Sequence, residues 1–497
     1  MNIIIRIQNL PIDLIYSVSN FYPRILFILP KEQLVKFDWF RLIRDNFGLI
    51  YSKNECTNEE IMKVYMGRCL IKKSNIFVTT YTSSLLINGR LLRCGDNSNG
   101  GLGMGDYRNR SVFEELVMFG DNVVEIKGTS LYSFIRLRDG TVMSCGSNNY
   151  GQLGHGDYGE RNKFTKVEGV GKDIIEIICR AIYTIIWLGD GTLMICGFFP
   201  YRIFGYGRTT NVFEEIKGIR KNVEKVVCSD DYMIIKFKDG KLMGCGVNNL
   251  GQLGLGDFED RREFCEIKGI GGNIADVVCG NYLSVVRLTD GTLMSCGFNA
   301  RGQLGHGDRE NRNVFTKINN IGKNIVEVHC TELYIIIRLT DGTLMTSNDD
   351  PPCIKMIFYE IKGIPKNISE LFCSSLGVVV RLTDGTLIRL GTTFYECLSL
   401  VSSVNKNAYD QIKGNIVEVA WSISHTIIRF VDGTIMACGM NGCGQLGINH
   451  TKNIDMFEVV KKYGSLEKKK IVVWQKSYLM AGIMIFGAII GMKVKQR

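Results

Sequence analysis

Proline is scarce in this chain, at 7 of 497 residues, and so are histidine and tryptophan, at 5 and 4. So little proline excludes a proline-rich disordered chain. No CxxC pair and no HExxH occurs, so the usual spacings of zinc ligands are missing, and no metal or other cofactor is expected. A secretory leader is not expected either, because Arg6, Pro11 and Asp13 interrupt the apolar start of the chain. Without one, an odd count of 17 cysteines argues against a disulfide framework. The centre of the chain lacks excess charge. The net +10 comes from the ends: residues 1–75 hold 11 basic and 7 acidic residues, residues 461–497 hold 9 and 1, and residues 76–460 hold 40 and 42. The bulk therefore has no general attraction for phosphate backbones, and nucleic acid is not the partner its charge leads one to expect.

Glycine is abundant instead, at 55 residues, and it recurs in register. Gly89, Gly140, Gly191, Gly240, Gly291, Gly342, Gly385 and Gly433 are spaced by 51, 51, 49, 51, 51, 43 and 48 residues. Asn88 precedes the first, and Asp139, Asp190, Asp239, Asp290, Asp341, Asp384 and Asp432 precede the others. Asn-Gly and Asp-Gly between strand-like runs predict β-hairpins with type I′ turns, in which both central residues take positive φ. These eight glycines are therefore assigned to structural turns. A tyrosine leads each of the first six hairpins (Tyr81, Tyr132, Tyr183, Tyr232, Tyr282, Tyr334), and Gly377 and His425 hold that place in the last two. A short run such as "NVVEI" from Asn122 or "NIVEV" from Asn324 comes before, and an aromatic such as Phe164 or Phe315 opens another strand-like run after. Each unit of about fifty residues thus offers four short strands, the content of one propeller blade.

The cysteines follow the same register. Cys94, Cys145, Cys196, Cys245, Cys296 and Cys438 stand one residue before a hairpin-closing glycine, and Cys179, Cys228, Cys279, Cys330 and Cys373 end the preceding strand. A nucleophilic thiol works singly with a partner base, so equivalent thiols around a ring read as small buried hydrophobes. His155 and His306 sit in equivalent turns where Leu255 also occurs, so imidazole is dispensable there. "GQLG" at Gly151–Gly154, Gly251–Gly254, Gly302–Gly305 and Gly444–Gly447 has no adjoining lysine and no helix pattern after it, which excludes a phosphate loop. No catalytic residue is assigned, and the chain is expected to be non-enzymatic. The segments after "GxGD" are charged, and their arginines, Arg108, Arg110, Arg161, Arg261, Arg262, Arg309 and Arg312, form the candidate partner surface.

"CGSNNYGQLGHGD" at Cys145–Asp157 and "CGFNARGQLGHGD" at Cys296–Asp308 resemble the regulator of chromosome condensation repeat. The resemblance spans residues 76–460 and implies an all-β propeller of seven or eight four-stranded blades. It departs in placing cysteine where the family often has tryptophan, and mostly tyrosine for the usual histidine. It implies a protein-binding scaffold or, as an alternative, an exchange factor for a small GTPase; a further alternative, a ubiquitin-ligase substrate receptor, comes from the F-box-like N-terminus described below. Light sensing through clustered tryptophans is excluded, since Trp39, Trp187, Trp421 and Trp474 are dispersed.

The ends lie outside the repeat. Residues 1–75 have helix-like apolar spacing, and "LPIDLI" resembles the opening of an F-box, which would recruit a ubiquitin-ligase adaptor. Residues 461–476 form a basic linker, and Ser477–Met492 is sixteen uncharged residues with Gly487 and Gly491 in a GxxxG pair. This stretch is expected to be a C-terminal hydrophobic helix that anchors the protein to a membrane, with the reduced cysteines of the propeller facing the cytosol.

Overall fold

The aliphatic and β-branched runs flanking each turn glycine pair as antiparallel strands, eight times over. A computed structural model of the chain describes most of residues 75–198, 209–347, 356–390 and 416–462, with short pieces around Trp39 and Asn58. It forms a β-propeller of eight blades, each built from one contiguous stretch of chain with strands in sequence order. Blade one is Ile76–Val78, Thr82–Ile87, Arg90–Gly95 and Arg110–Glu115; blade eight is Ile416–Trp421, His425–Phe430, Thr434–Gly439 and Ile454–Lys462. Blade one has a leading strand of only three residues, too short to stand out in the sequence. Three strands are described for blade seven, Ile368–Ser374, Gly377–Leu382 and Leu387–Leu390; Tyr409, expected to open its fourth, lies outside the described residues.

The first strands of neighbouring blades touch around the axis, and successive strands step outward. Alternate side chains point to the two faces of a blade, and each face packs on a neighbour. Between blades two and three, Tyr132, Phe134 and Val142 meet Ile174, Ile177 and Ile186. The same arrangement closes the ring: Ile76, Leu85 and Ile87 of blade one pack on Ala420, Ile427 and Ile435 of blade eight. At this seam the Asn75 and Ile76 N–H groups donate to Glu418 Oε1 at 2.6 and 3.1 Å, and Asn449 N–H donates to the Ser111 carbonyl at 2.8 Å.

The eight turn glycines all lie at φ between +82° and +88°. Only the first hairpin has the type I′ form, with Asn88 at +54° and Ile87 paired directly with Arg90. In blade two the Gly140 N–H bonds to Leu137 O and the Leu137 N–H to Thr141 O, while Asp139 is not left-handed. That is a three-residue loop, a type I turn closed by a left-handed glycine, and it corrects the expectation of type I′ throughout. The aspartate is held otherwise: Asp139 Oδ1 accepts the Thr141 N–H at 2.9 Å, as Asp190, Asp290, Asp341, Asp384 and Asp432 do for the residue two positions on. The shorter first loop shifts one tyrosine. Thr82, not Tyr81, takes the place of Tyr132, and in blade five Leu283 takes it instead of Tyr282. Both displaced tyrosines are exposed.

Near the N-terminus Trp39 is buried, with its ring N–H on Leu34 O and its backbone N–H on Asn58 Oδ1. Among the described residues no helix is long and apolar enough to cross a membrane. The "LPIDLI" segment, the basic linker from Tyr463 and the stretch Ser477–Met492 lie outside the described residues.

Candidate functional site

Strands run up and down alternately, so the loops after the first and third strands of every blade emerge on one side of the ring, and the turn glycines lie on the other. The long loop after the third strand is fixed from its asparagine. Buried Asn148 accepts the Leu153 N–H at 2.9 Å and donates to the Asp157 carbonyl at 2.8 Å. Asn97, Asn248 and Asn299 repeat both bonds in their own loops. Gln152 Oε1 accepts the Tyr150 N–H at 2.9 Å, and the Gln152 carbonyl reaches the next blade, accepting from the Thr184 hydroxyl at 2.9 Å and the Cys196 thiol at 3.3 Å. Leu153 is fully buried. Gly154, at φ +75°, lies against the Phe213 ring of blade three, where a Cβ would come within 2.5 Å. The "GQLG" phrase therefore fastens the blades that carry it to their successors.

The arginines divide into two groups. Arg110, Arg161 and Arg312 pair with the aspartate four residues earlier, Asp106, Asp157 and Asp308, at 2.9, 2.5 and 2.7 Å, and Arg261 does the same with Asp257. Each guanidinium bonds back into its own loop, and the neighbouring cation holds each aspartate below the usual carboxylate range. These four close their own loops and are partly buried. Arg108, Arg262 and Arg309 are exposed, with Arg108 also within 3.1 Å of Asp106.

The remaining chemistry-bearing side chains connect blades. Tyr132 Oη donates toward the Arg180 and Tyr183 carbonyls, both at 2.7 Å, and Tyr183 Oη to Ser229 O at 2.7 Å. In blade eight His425 takes this place, its Nε2 2.7 Å from Ser83 Oγ across the seam. His425 is completely enclosed, and burial lowers it from 6.5 to about 3, so it is neutral. His155 and His306 contact Ser144 and Ser295 hydroxyls at 2.9 and 3.0 Å. Burial pushes the Cys145, Cys179, Cys279 and Cys373 thiols up to about 12, which removes the thiolate character a nucleophile needs. No group of His, Cys, Asp or Glu among the described residues could hold a metal ion.

Sequence reasoning missed the aromatic content of the loop-bearing side. Tyr81, Tyr107, Tyr150, Tyr158, Phe258 and Tyr282 are each between 40% and 48% exposed there. Tyr150 packs on Phe198 with ring centroids 5.5 Å apart, and Tyr158 Oη is 3.1 Å from Thr209 Oγ1, so rings of blade two rest on blade three. The signal was present in "NNYGQLGHGDYGE", where two tyrosines flank the loop, but a turn motif with charged neighbours reads as solvated polar surface.

The eight-bladed propeller carries regulator of chromosome condensation (RCC1) repeats, matched at residues 139–184, 239–287 and 290–332, with a second form of the repeat at 274–303. The chain is similar to a Caenorhabditis elegans homolog of the X-linked retinitis pigmentosa GTPase regulator, 29% identical over 20% of this chain and 7% of that one. It is also similar to the ultraviolet-B receptor of Arabidopsis thaliana, 26% identical over 45% of this chain and 52% of that one. The chain thus spans about half or less of the curated relatives it matches. Among solved structures, yeast RCC1 (Prp20), determined with Kap60 bound, superposes with a TM-score of 0.50 at 15% identity, covering 78% of this chain and 88% of that one. At that identity the likeness concerns the fold alone.

Proposed function

We propose that this propeller is a non-enzymatic scaffold that binds another protein on its loop-bearing side. The observation that carries the reading is the division of labour among side chains. The cysteines before the hairpin-closing glycines, His425 and the buried tyrosines join blades, whereas half-exposed tyrosines stand with Arg108, Arg262 and Arg309 on the loop-bearing side. Tyrosine and arginine dominate the energetics of protein interfaces. The test is affinity capture on the full chain, compared with a Tyr107→Ala/Tyr150→Ala/Tyr158→Ala variant and with a control altered at Lys172 on the opposite side. Loss of the same specific partner from the first alone supports the reading; equal capture by all three overturns it.

A second reading is favoured by the name of the nematode relative, a GTPase regulator homolog. In it the bound protein is a small GTPase whose nucleotide is loosened by contact. Nucleotide-release assays over a panel of small GTPases test it, and absence of acceleration with all of them counts against it. The expectation for Ser477–Met492 becomes a separate proposal of a membrane tether on the cytosolic side. Full-length chain should sediment with membranes while residues 1–470 stay soluble. The same capture tests the F-box-like segment, since deletion of residues 1–75 should abolish recovery of a ligase adaptor.

A further inference from the structure

The first strands carry an ordered set of charges, and two departures from it coincide in space. Glu125, Asp276, Glu327, Glu370 and Glu418 stand at one level, each opposite an arginine of its second strand: Arg136, Arg287, Arg338, Arg381 and Arg429. Four of these form ion pairs, Arg136–Glu125 at 2.7 Å, Arg338–Glu327 at 2.8 Å, Arg381–Glu370 at 2.9 Å and Arg429–Glu418 at 3.2 Å. Asp276 is instead held by Lys225 of blade four at 2.5 Å. Blade three breaks the order, because Trp187 stands opposite Glu176 where the arginine belongs. Blade two breaks it two residues further along, because Lys127 stands where the neighbouring blades have Ile178, Val227 and Val278.

Both departures line one axial cavity of about 470 Å³, at the end where the first strands run into their loops. That volume is in the range of small-molecule sites, roughly 300–1,000 Å³. Phe77, Ile178, Val227 and Val278 make its walls apolar, and Lys127, Glu176 and Arg180 supply charge. Arg180 reaches the Cys228 carbonyl, while its Nε is buried without a hydrogen-bond partner. Lys127 makes no ion pair within 4.0 Å among the described residues, although Glu176 is near enough to feel its charge. The lining cations Lys127 and Arg180 face one lining carboxylate, Glu176, with Asp230 close enough to Arg180 to feel its charge and His329 held by Glu327. Lys127 and Arg180 are both partly exposed, so an anion from solvent can reach them beside the apolar wall.

We propose that the axial cavity is a binding site for a small organic monoanion, a carboxylate attached to an apolar body. The carboxylate lies with Lys127 and Arg180, and the body lies on Phe77, Val227 and Val278. Blade four also departs from the order, with Lys225 opposite Lys236, but Lys225 is neutralised by Asp276 of blade five, and His329 of blade six, at the level of Lys127, is held by Glu327 at 2.8 Å.

The full chain is tested by thermal unfolding and titration calorimetry with acetate, hexanoate and benzoate at millimolar concentration, and with benzamide as the uncharged counterpart of benzoate. Hexanoate or benzoate should raise the unfolding midpoint and give a saturable heat, acetate should do so less, and benzamide not at all. Lys127→Met should lose at least tenfold in affinity for the carboxylate while keeping the circular dichroism of the parent. If Lys127→Met does not fold, Arg180→Gln serves for the same comparison. No saturable heat from any carboxylate, or equal heats in parent and variant, overturns the proposal. A benzamide response equal to that of benzoate overturns the charge assignment on which it stands.

Discussion

At the residue scale the turn glycines do two things at once. Gly191 is left-handed at φ +88°, and a Cβ there would lie 1.7 Å from the Lys221 carbonyl oxygen leading into the next blade; Gly240 is left-handed at φ +82° with nothing within 4 Å. Gly240→Ala should therefore cost only the backbone penalty, about 1–2 kcal/mol, and Gly191→Ala clearly more, as read from urea unfolding midpoints of the two variants. His425 gives a pH prediction. Its folded value of about 3 lies below the ordinary 6.5, so the unfolded chain takes up a proton that the folded chain refuses. Its contribution is fully present above pH 6.5 and is lost as pH falls from there toward 3. His306, lowered to about 4 by burial and by Arg312, acts in the same direction. The unfolding midpoint should fall between pH 7 and pH 5, and His425→Gln should flatten that decline. The ring nitrogens of His425 meet only neutral hydroxyls among the described residues, Ser83 at Nε2 and Ser422 and Ser424 at Nδ1.

At the scale of the element, the loop after the third strand depends on a single side chain. Asn148→Ala would leave the buried Leu153 N–H and the Asp157 carbonyl without their partner, at about 1–3 kcal/mol for a buried unmet group. The Tyr150–Tyr158 loop should then exchange amide hydrogens faster, and partner capture should weaken although no exposed residue has changed. The same loop illustrates what was legible beforehand. "NxxGQLGxGD" could be read as a compact turn with a buried leucine, because glycine and leucine have narrow roles there. The arginine four residues after the aspartate could not, because an Asp and an Arg near a turn look alike whether they clamp each other or face solvent. The turn class was also misassigned, since an Asp-Gly pair fits both a two-residue and a three-residue loop, and only the pairing of the flanking residues separates them. The axial pair Lys127 and Glu176 left a trace in the aligned first strands, but alignment cannot tell that their side chains converge on one cavity.

At the scale of the whole molecule, stability is shared among eight similar interfaces, and the one between blades eight and one joins the two ends of the repeat region. Glu418 serves two blades there, accepting two N–H groups from blade one while paired with Arg429. Glu418→Ala should speed amide exchange in Ile76–Val78 and in blade eight before any change appears in blades three to five, because neighbouring repeats carry most of each repeat's stabilisation. Equal acceleration around the entire ring would mean that the seam is no weaker than its sisters.

Because the described strands of every blade come from one stretch of chain, and none of them is exchanged between the two ends, the last blade must be translated before the circle can shut. Until Ile416–Lys462 leaves the ribosome, the apolar flank of Ile76, Leu85 and Ile87 stays uncovered. The nascent chain therefore carries an open, sticky edge for most of its synthesis, and whatever shields that edge governs how much finished protein a cell obtains.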